Sequence, residues 1–230
     1  MAHTYDYPRP AVTVDCVVFG IDHTEQLQVL LIQRRLPPFK ERWALPGGFV
    51  RPQEPLEQAA RRELYEETAV TDVFLEQLKA YGQPERDPRG HKVTVAFYAL
   101  VNLWNHDVKA ATDAKQARWW SLGQLPALAF DHGAILQDAI ATLRHTIRHH
   151  PIGFELLPPR FTLTQLQRLY EIVLDQPFDK RNFRKKLLKL NILVGLPEKE
   201  TNVPYRAAQL YRFDQTKYQE RQKTGFNFDL

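Results

Sequence analysis

Six chemistry-bearing residues stand at fixed spacings between Gly48 and Val70, and this window constrains the fold more than any other part of the chain. Gly48 and Glu54 lie in a loop that follows Leu45-Pro46-Gly47, and Arg62, Glu63, Glu66 and Glu67 lie in the amphipathic segment after it. Pro55 suits the first helical position, where a missing N–H costs nothing, and Leu56, Ala60 and Leu64 recur every four residues as a buried stripe. Glu63, Glu66 and Glu67, at i, i+3 and i+4, then share a different face. Neighbouring carboxylates repel unless cations bridge them, and an all-oxygen donor set that leaves room for phosphate suits Mg²⁺ or Mn²⁺. A solvated acidic helix face would explain one pair of these glutamates but not the whole pattern behind a Gly-Gly loop. The expectation is a loop and helix that together bind metal and a diphosphate.

With 230 residues, 43% of them apolar, the chain can build one large domain or two modest ones. It contains no apolar run of about 18 residues, and its start has neither a basic n-region nor an apolar h-region. No membrane span, no secretory signal and a cytoplasmic location are therefore expected. The single cysteine, Cys16, can form no internal disulfide, no Cys/His zinc spacing exists, and its apolar neighbours predict a core thiol. Charge is divided unevenly. Residues 1–150 hold 17 Lys/Arg against 18 Asp/Glu, whereas residues 151–230 hold 14 against 9. A near-neutral part joined to a basic part points to a polyanionic partner for the second.

Runs of Val, Leu and Ile predict strands at Ala11–Phe19 and Leu27–Arg34, joined by the polar turn Asp22-His23-Thr24-Glu25. Further strands are expected at Val73–Tyr81, at Lys92–Val101 with Val93, Val95, Phe97 and Ala99 on one face, and briefly at Arg118–Leu122. Ile135, Ala139, Ile140 and Leu143 then mark a helix running to about His149, with Asp131 as its N-cap. His149-His150-Pro151-Ile152-Gly153 breaks the periodicity, which places a domain boundary near residue 150.

Beyond that boundary Phe154–Leu157 reads as a strand. Thr162-Leu-Thr-Gln165 is a capping-box pattern, and Leu163, Leu166, Tyr170 and Val173 line one face of the helix it starts. Asp179 can cap a second helix, with Phe183, Leu187 and Leu190 inward and Arg181, Lys185 and Lys189 outward. Leu188 falls near this outer face; a thymine methyl is one partner for it there, and packing against a neighbour is its expected role. An apolar patch at Ile192–Val194, a polar stretch Pro197–Asn202 and a strand-like segment Ala208–Phe213 follow; Gln219–Leu230 reads as a tail or a partner-binding arm. A basic second helix followed by a hairpin resembles a winged helix, whose helix reads the major groove while its wing touches backbone. Arg181, Asn182, Arg184, Lys185 and Lys189 are the candidate DNA contacts: Arg can fork onto guanine, Asn onto adenine, and Lys neutralises phosphate.

The window from Gly48 to Val70 resembles the Nudix box, a Gly, five residues, a Glu, seven residues, then Arg-Glu-apolar-x-Glu-Glu-x-Gly-apolar. Ala69 alone departs, standing where the family has glycine. A positive φ there would make the alanine methyl cost about 1 kcal/mol. The resemblance implies that Glu63, Glu66 and Glu67 hold metal ions with help from the Gly47 carbonyl, and that Arg62 orients a glutamate. In hydrolysing members, Glu63, Glu67 and Arg62 would be the catalytic set, and two metal ions would activate water against a nucleoside diphosphate.

Glu85-Arg-Asp-Pro-Arg-Gly90 reads either as a hairpin turn or as a ribose and phosphate contact through Arg86, Asp87 and Arg89. At Leu128-Ala-Phe-Asp-His132 a helix N-terminus and His132 could meet an anion. With Pro38–Phe49, whose Phe49 closes the run, these segments resemble the ADP-ribose branch of the family. The order of the two parts is similar to the Nudix-related transcriptional regulators of NAD metabolism. That likeness implies an α/β Nudix fold, a mixed sheet sandwiched by helices, over residues 1–150, then a winged helix-turn-helix over 151–230. It also implies a homodimeric repressor on palindromic double-stranded operator DNA, released when ADP-ribose binds. An effector achieves this only by binding the DNA-incompetent arrangement more tightly. The alternative is an active ADP-ribose pyrophosphatase with an accessory C-terminal domain, for which Asp113 is the candidate general base. A third reading, an RNA-associated protein, is disfavoured because few aromatics interleave with the charges.

Overall fold

Apolar runs, rich in β-branched residues in the first, mark Ala11–Ile21 (β1) and Leu27–Arg34 (β2), and the computed structural model shows both as strands. The structure describes residues 7, 9–21, 26–103, 114–200, 207–223 and 228. The turn at 22–25 and the candidate base Asp113 lie outside the described residues. After Trp43–Ala44 (β3) and Gly47–Phe49 (β4) come the helix Leu56–Thr68 (α1), Phe74–Tyr81 (β5), Lys92–Asn102 (β6), Ala114–Ser121 (β7) and the helix His132–His149 (α2). The strands form one sheet in the order β3-β2-β1-β6-β5, with β4 on β1 and β7 on β2. In β4, Gly48 sits opposite Val14 and Gly47 opposite Asp15, so the start of the Nudix-like window is fastened to the centre of the sheet.

Three expectations change. β6, between β1 and β5, is buried on both faces from Thr94 onward, so its alternation has no solvent side to report. β7 extends to Ala114 and pairs with β2 from Ser121↔Gln28 to Ala114↔Arg34, a longer strand than its sequence announces. Pro55 precedes α1 instead of opening it: its ψ of 144° is extended, and its carbonyl accepts the first helical bond from the Ala59 amide at 2.9 Å. Ala60 and Leu64 are buried as their spacing requires, joined by Ala59 and Thr68. Cys16 is a fully buried thiol within this core.

Contacts divide the chain into two compact units; the second takes the short segments Ile21–Leu27 and Asn102–Asn105 as well as everything from Ile140, so one division falls inside α2. In the second unit Ile147 and Leu169 approach Gly153 so closely that a Cβ there would meet them at 3.0 and 3.1 Å. The segment expected as a strand at 154–157 is instead a 3-10 helix, Pro151–Leu156: Pro151 presets a helical φ, and Phe154 turns inward to stack on Phe213 at 4.4 Å. Phe161–Thr162 (β8) leads into Leu163–Leu174 (α3), which Thr162 starts with the full reciprocal capping box to Gln165. Asp179 caps Lys180–Lys189 (α4) by accepting from the Asn182 amide at 2.8 Å. Leu193–Lys199 (β9) and Gln209–Phe213 (β10) pair antiparallel, and β10 also pairs with β8. Two helices followed by this hairpin are a winged helix. The stretch read as polar from Pro197 begins within β9, and the expected tail from Gln219 begins inside a further helix, Gln215–Lys223 (α5).

Candidate functional site

The loop before α1 is shaped by lack of space. A Cβ on Gly47 would lie 2.2 Å from the Val14 carbonyl oxygen, and one on Gly48 would lie 2.6 Å from the Glu63 carboxylate. The Gly47 amide donates to Glu67 Oε2 at 2.8 Å, pinning the loop to the helix. Arg62 is the hub between them. Its Nε and Nη2 fork onto Glu54 at 2.6 and 2.8 Å, its Nη1 reaches Glu63 at 2.6 Å and Glu66 at 3.1 Å, and Nη2 also donates to the Phe49 carbonyl at 3.1 Å. The hydrogen bonds from Arg62 and the Arg51 amide hold the Glu54 carboxyl down at about 2, whereas burial pushes Glu63 above the usual carboxylate range despite Arg62. Arg62 thus ties Glu54, Glu63 and Glu66 together.

These residues form one wall of a cleft of about 500 Å³. Facing groups come from far along the chain: Arg34, Arg86, Asp87, Arg89, Phe130 and His132 line it, with Asp15 from β1. Arg86, whose side chain is only 5% exposed, forks onto Asp131 at 2.6 and 2.8 Å and approaches Asp15 at 3.4 Å. The carboxylate of Asp131 is thereby engaged by Arg86, and its backbone carbonyl receives the Ala134 and Ile135 amides as α2 begins. Asp87 is clamped by Arg89 through contacts at 2.7 to 3.2 Å; burial would raise its carboxyl, but these bonds and Lys92 outweigh that and hold it at about 2. The Arg89 guanidinium lies 5.8 Å from the Phe49 ring centre and 5.6 Å from that of Phe130, and Arg34 lies 4.7 Å from Phe130. An aromatic floor beside arginines suits a base or sugar carrying phosphates.

His132 differs from its expectation. It is buried, its Nδ1 accepts from the Leu45 amide at 2.9 Å, and Nε2 lies 3.5 Å from Asp15. Burial lowers its pKa, so it is a neutral ring bracing the loop and not a cation free to meet an anion. Asp15, Arg34 and Phe130 were not singled out from sequence. A lone aspartate within the apolar run of β1 was the one local signal for Asp15.

The expected metal set, Glu63, Glu66, Glu67 and Gly47, shares this cleft, and its hard oxygen chemistry fits a divalent cation of the Mg²⁺ type. Among the described residues, however, no three carboxylate, imidazole or thiol groups are gathered at ligating distance. Arg62 holds Glu63 and Glu66, and the Gly47 amide holds Glu67. Ala69, the departure from the box, is the left-handed C-cap of α1 with φ 59° and ψ 14°, and its amide closes onto the Tyr65 carbonyl. Glycine belongs at this position because the cap needs a positive φ, and Ala69 is exposed.

On α4, Phe183 and Leu187 are buried while Arg181, Asn182, Lys185 and Lys189 are exposed. Arg184 stands apart from that outer set. Its Nη2 donates to Thr164 Oγ1 at 2.9 Å, which ties α4 to α3, and among the described residues its buried Nε finds no hydrogen-bond partner. Leu188, expected to pack on a neighbour, is 48% exposed instead.

A sheet domain with a loop-helix diphosphate cleft, followed by a winged helix with a cationic second helix, defines a ligand-sensing DNA-binding protein of two modules. Residues 9–139 match the family model for the NUDIX domain, and residues 153–213 match that for the NrtR DNA-binding winged helix domain. The chain is 40% identical over 212 residues to an ADPR responsive transcriptional repressor NtrR of Acinetobacter baylyi, covering 90% of this chain and 84% of that one. The crystal structure of Shewanella oneidensis NrtR complexed with a 27mer DNA superposes with a TM-score of 0.77 at 32% identity, covering 95% of this chain and 99% of that one. The NUDIX domain of the same Shewanella protein, complexed with ADP ribose, aligns over 60% of this chain and 94% of its own length, with a TM-score of 0.55 and 38% identity. The chain belongs to the Nudix family and, within it, to the NrtR regulators.

Proposed function

We propose that this protein is an ADP-ribose-responsive repressor: the cleft between α1 and the Arg86–Arg89 segment binds ADP-ribose, and α4 with its wing binds operator DNA. The observation that carries this reading is the pairing, in one chain, of an arginine- and aromatic-lined cleft with a cationic winged helix. A homodimer on palindromic DNA follows from the same reading, since a twofold axis presents two recognition helices one groove-turn apart. Arg86, Arg89 and Arg34 carry the positive charge that a diphosphate needs, and Phe49 and Phe130 offer ring faces. The Asp15–Arg86–Asp131 chain of ion pairs ends at the start of α2, a helix whose first half belongs to one unit and second half to the other. A ligand phosphate competing for Arg86 would loosen its hold on Asp131 at the start of α2. An effector releases DNA only by binding the DNA-incompetent state of the protein more tightly.

Hydrolysis is the second reading, favoured by the intact Arg62–Glu54–Glu63 network. A bound Mg²⁺ or Mn²⁺ would supply charge neutralisation for a diphosphate and an activated water, held by Glu63, Glu66 and Glu67. Arg62 would keep those carboxylates oriented, and Gly47 and Gly48 would let the backbone come close. Titrating labelled promoter DNA with the protein, with and without ADP-ribose, tests the first reading. DNA bound at low salt and released by ADP-ribose supports it, and no binding at any salt ends it. Release of AMP from ADP-ribose in the presence of Mg²⁺ tests the second.

A further inference from the structure

Leu188 is an apolar side chain on the outer face of a helix whose other exposed positions include Arg181, Asn182, Lys185 and Lys189. It follows Arg181 by seven residues and Lys185 by three, so all three project from one side, opposite the buried Phe183 and Leu187. The α3 side of the helix is already tied by Arg184 to Thr164, and Phe183 meets Tyr170 and Phe178 at ring-centre distances of 5.6 Å. Leu188 leaves 48% of its surface in water. Its neighbours can answer phosphate oxygens and polar base edges, whereas Leu188 can answer neither.

Along the floor of the major groove the one apolar group is the C5 methyl of thymine. We propose that Leu188 is a specificity-determining residue that reads a thymine methyl between the anchoring contacts of Arg181 and Lys185. The proposal rests on the assignment of α4 as the DNA-reading helix. It adds a hydrophobic component to recognition that the cationic residues cannot supply, because Coulombic attraction to phosphate is the same for every sequence.

The test uses the full-length protein and a duplex enriched by it from a random pool. Each thymine in turn is replaced by deoxyuridine, which keeps the base pair and deletes only the methyl. For the unaltered protein, one symmetry-related thymine position should lose about fourfold in affinity on replacement, the factor expected for burying one methylene-sized group. For Leu188→Ala the same replacement should cost nothing further, while replacements elsewhere behave as before. Leu188→Met, which keeps an apolar tip, should recover part of the discrimination. If the unaltered protein tolerates deoxyuridine at every position, or if Leu188→Ala and the methyl deletion act additively, Leu188 does not read a methyl. Failure to enrich any duplex overturns the DNA-binding assignment itself, and this inference with it.

Discussion

Arg62 and Glu54 form a two-pronged ion pair at 2.6 and 2.8 Å, joining the loop before α1 to the middle of that helix across eight residues. The same guanidinium reaches Glu63, Glu66 and the Phe49 carbonyl, so a planar fork is required and a point charge cannot replace it. Arg62→Lys is expected to keep the fold, seen as an unchanged far-UV spectrum, and to weaken ADP-ribose binding roughly tenfold in a calorimetric titration. Equal affinity of the two proteins would remove Arg62 from the organisation of the cleft.

Asp87 gives the cleft a pH dependence. Its carboxyl stands at about 2 in the folded protein against 3.8 ordinarily, because Arg89 and Lys92 outweigh its burial. A depressed folded value means that the stabilisation is fully present above the ordinary carboxylate range and is lost as pH falls through about 2. The difference in melting temperature between the parent protein and Asp87→Asn should be constant from pH 7 to about 5 and shrink below about 4. A difference that widens on acidification would contradict the sign.

Ala69 holds a left-handed cap that glycine adopts without strain. Ala69→Gly should raise the stability of the first unit by about 1 kcal/mol, read from the urea midpoint, and leave ligand affinity unchanged because the residue is exposed beyond the helix end. Destabilisation by this change would mean that the methyl makes a contact worth more than the strain.

Tyr170 is fully buried in α3, and among the described residues its hydroxyl finds no hydrogen-bond partner. Its ring already serves the core by packing 5.6 Å from Phe183. Tyr170→Phe removes only the unsatisfied oxygen, and denaturation should show the second unit more stable by about 1 kcal/mol. A loss of stability would reveal a partner for that hydroxyl.

Arg181 is exposed at the start of α4, one turn before Lys185. Arg181→Ala is expected to weaken DNA binding at least roughly tenfold, the scale of one forked contact to a base, with ADP-ribose affinity unaltered. An unmoved gel-shift midpoint would refute the assignment.

Legibility in the sequence followed the distance over which each feature is specified. The capping box at Thr162–Gln165, the cap at Asp179, the apolar runs of β1 and β2 and the glutamate spacing of α1 are all set within a few residues, and each appears as its pattern requires. The 3-10 turn at Pro151–Leu156 and the two-sided burial of β6 were misread because each depends on what packs against it, not on its own period.

From its own residues the chain determined the box helix, the two modules and the cationic face of α4, because periodicity, caps and charge act locally. Tertiary structure alone decided that Arg86 bridges Asp15, 71 residues away, and Asp131, 45 residues away. It also decided that His132 braces Leu45, that Arg184 turns onto Thr164 and that Leu188 stays in water. Partners so far apart are chosen by how the sheet and helices pack, and no spacing along the chain encodes that choice.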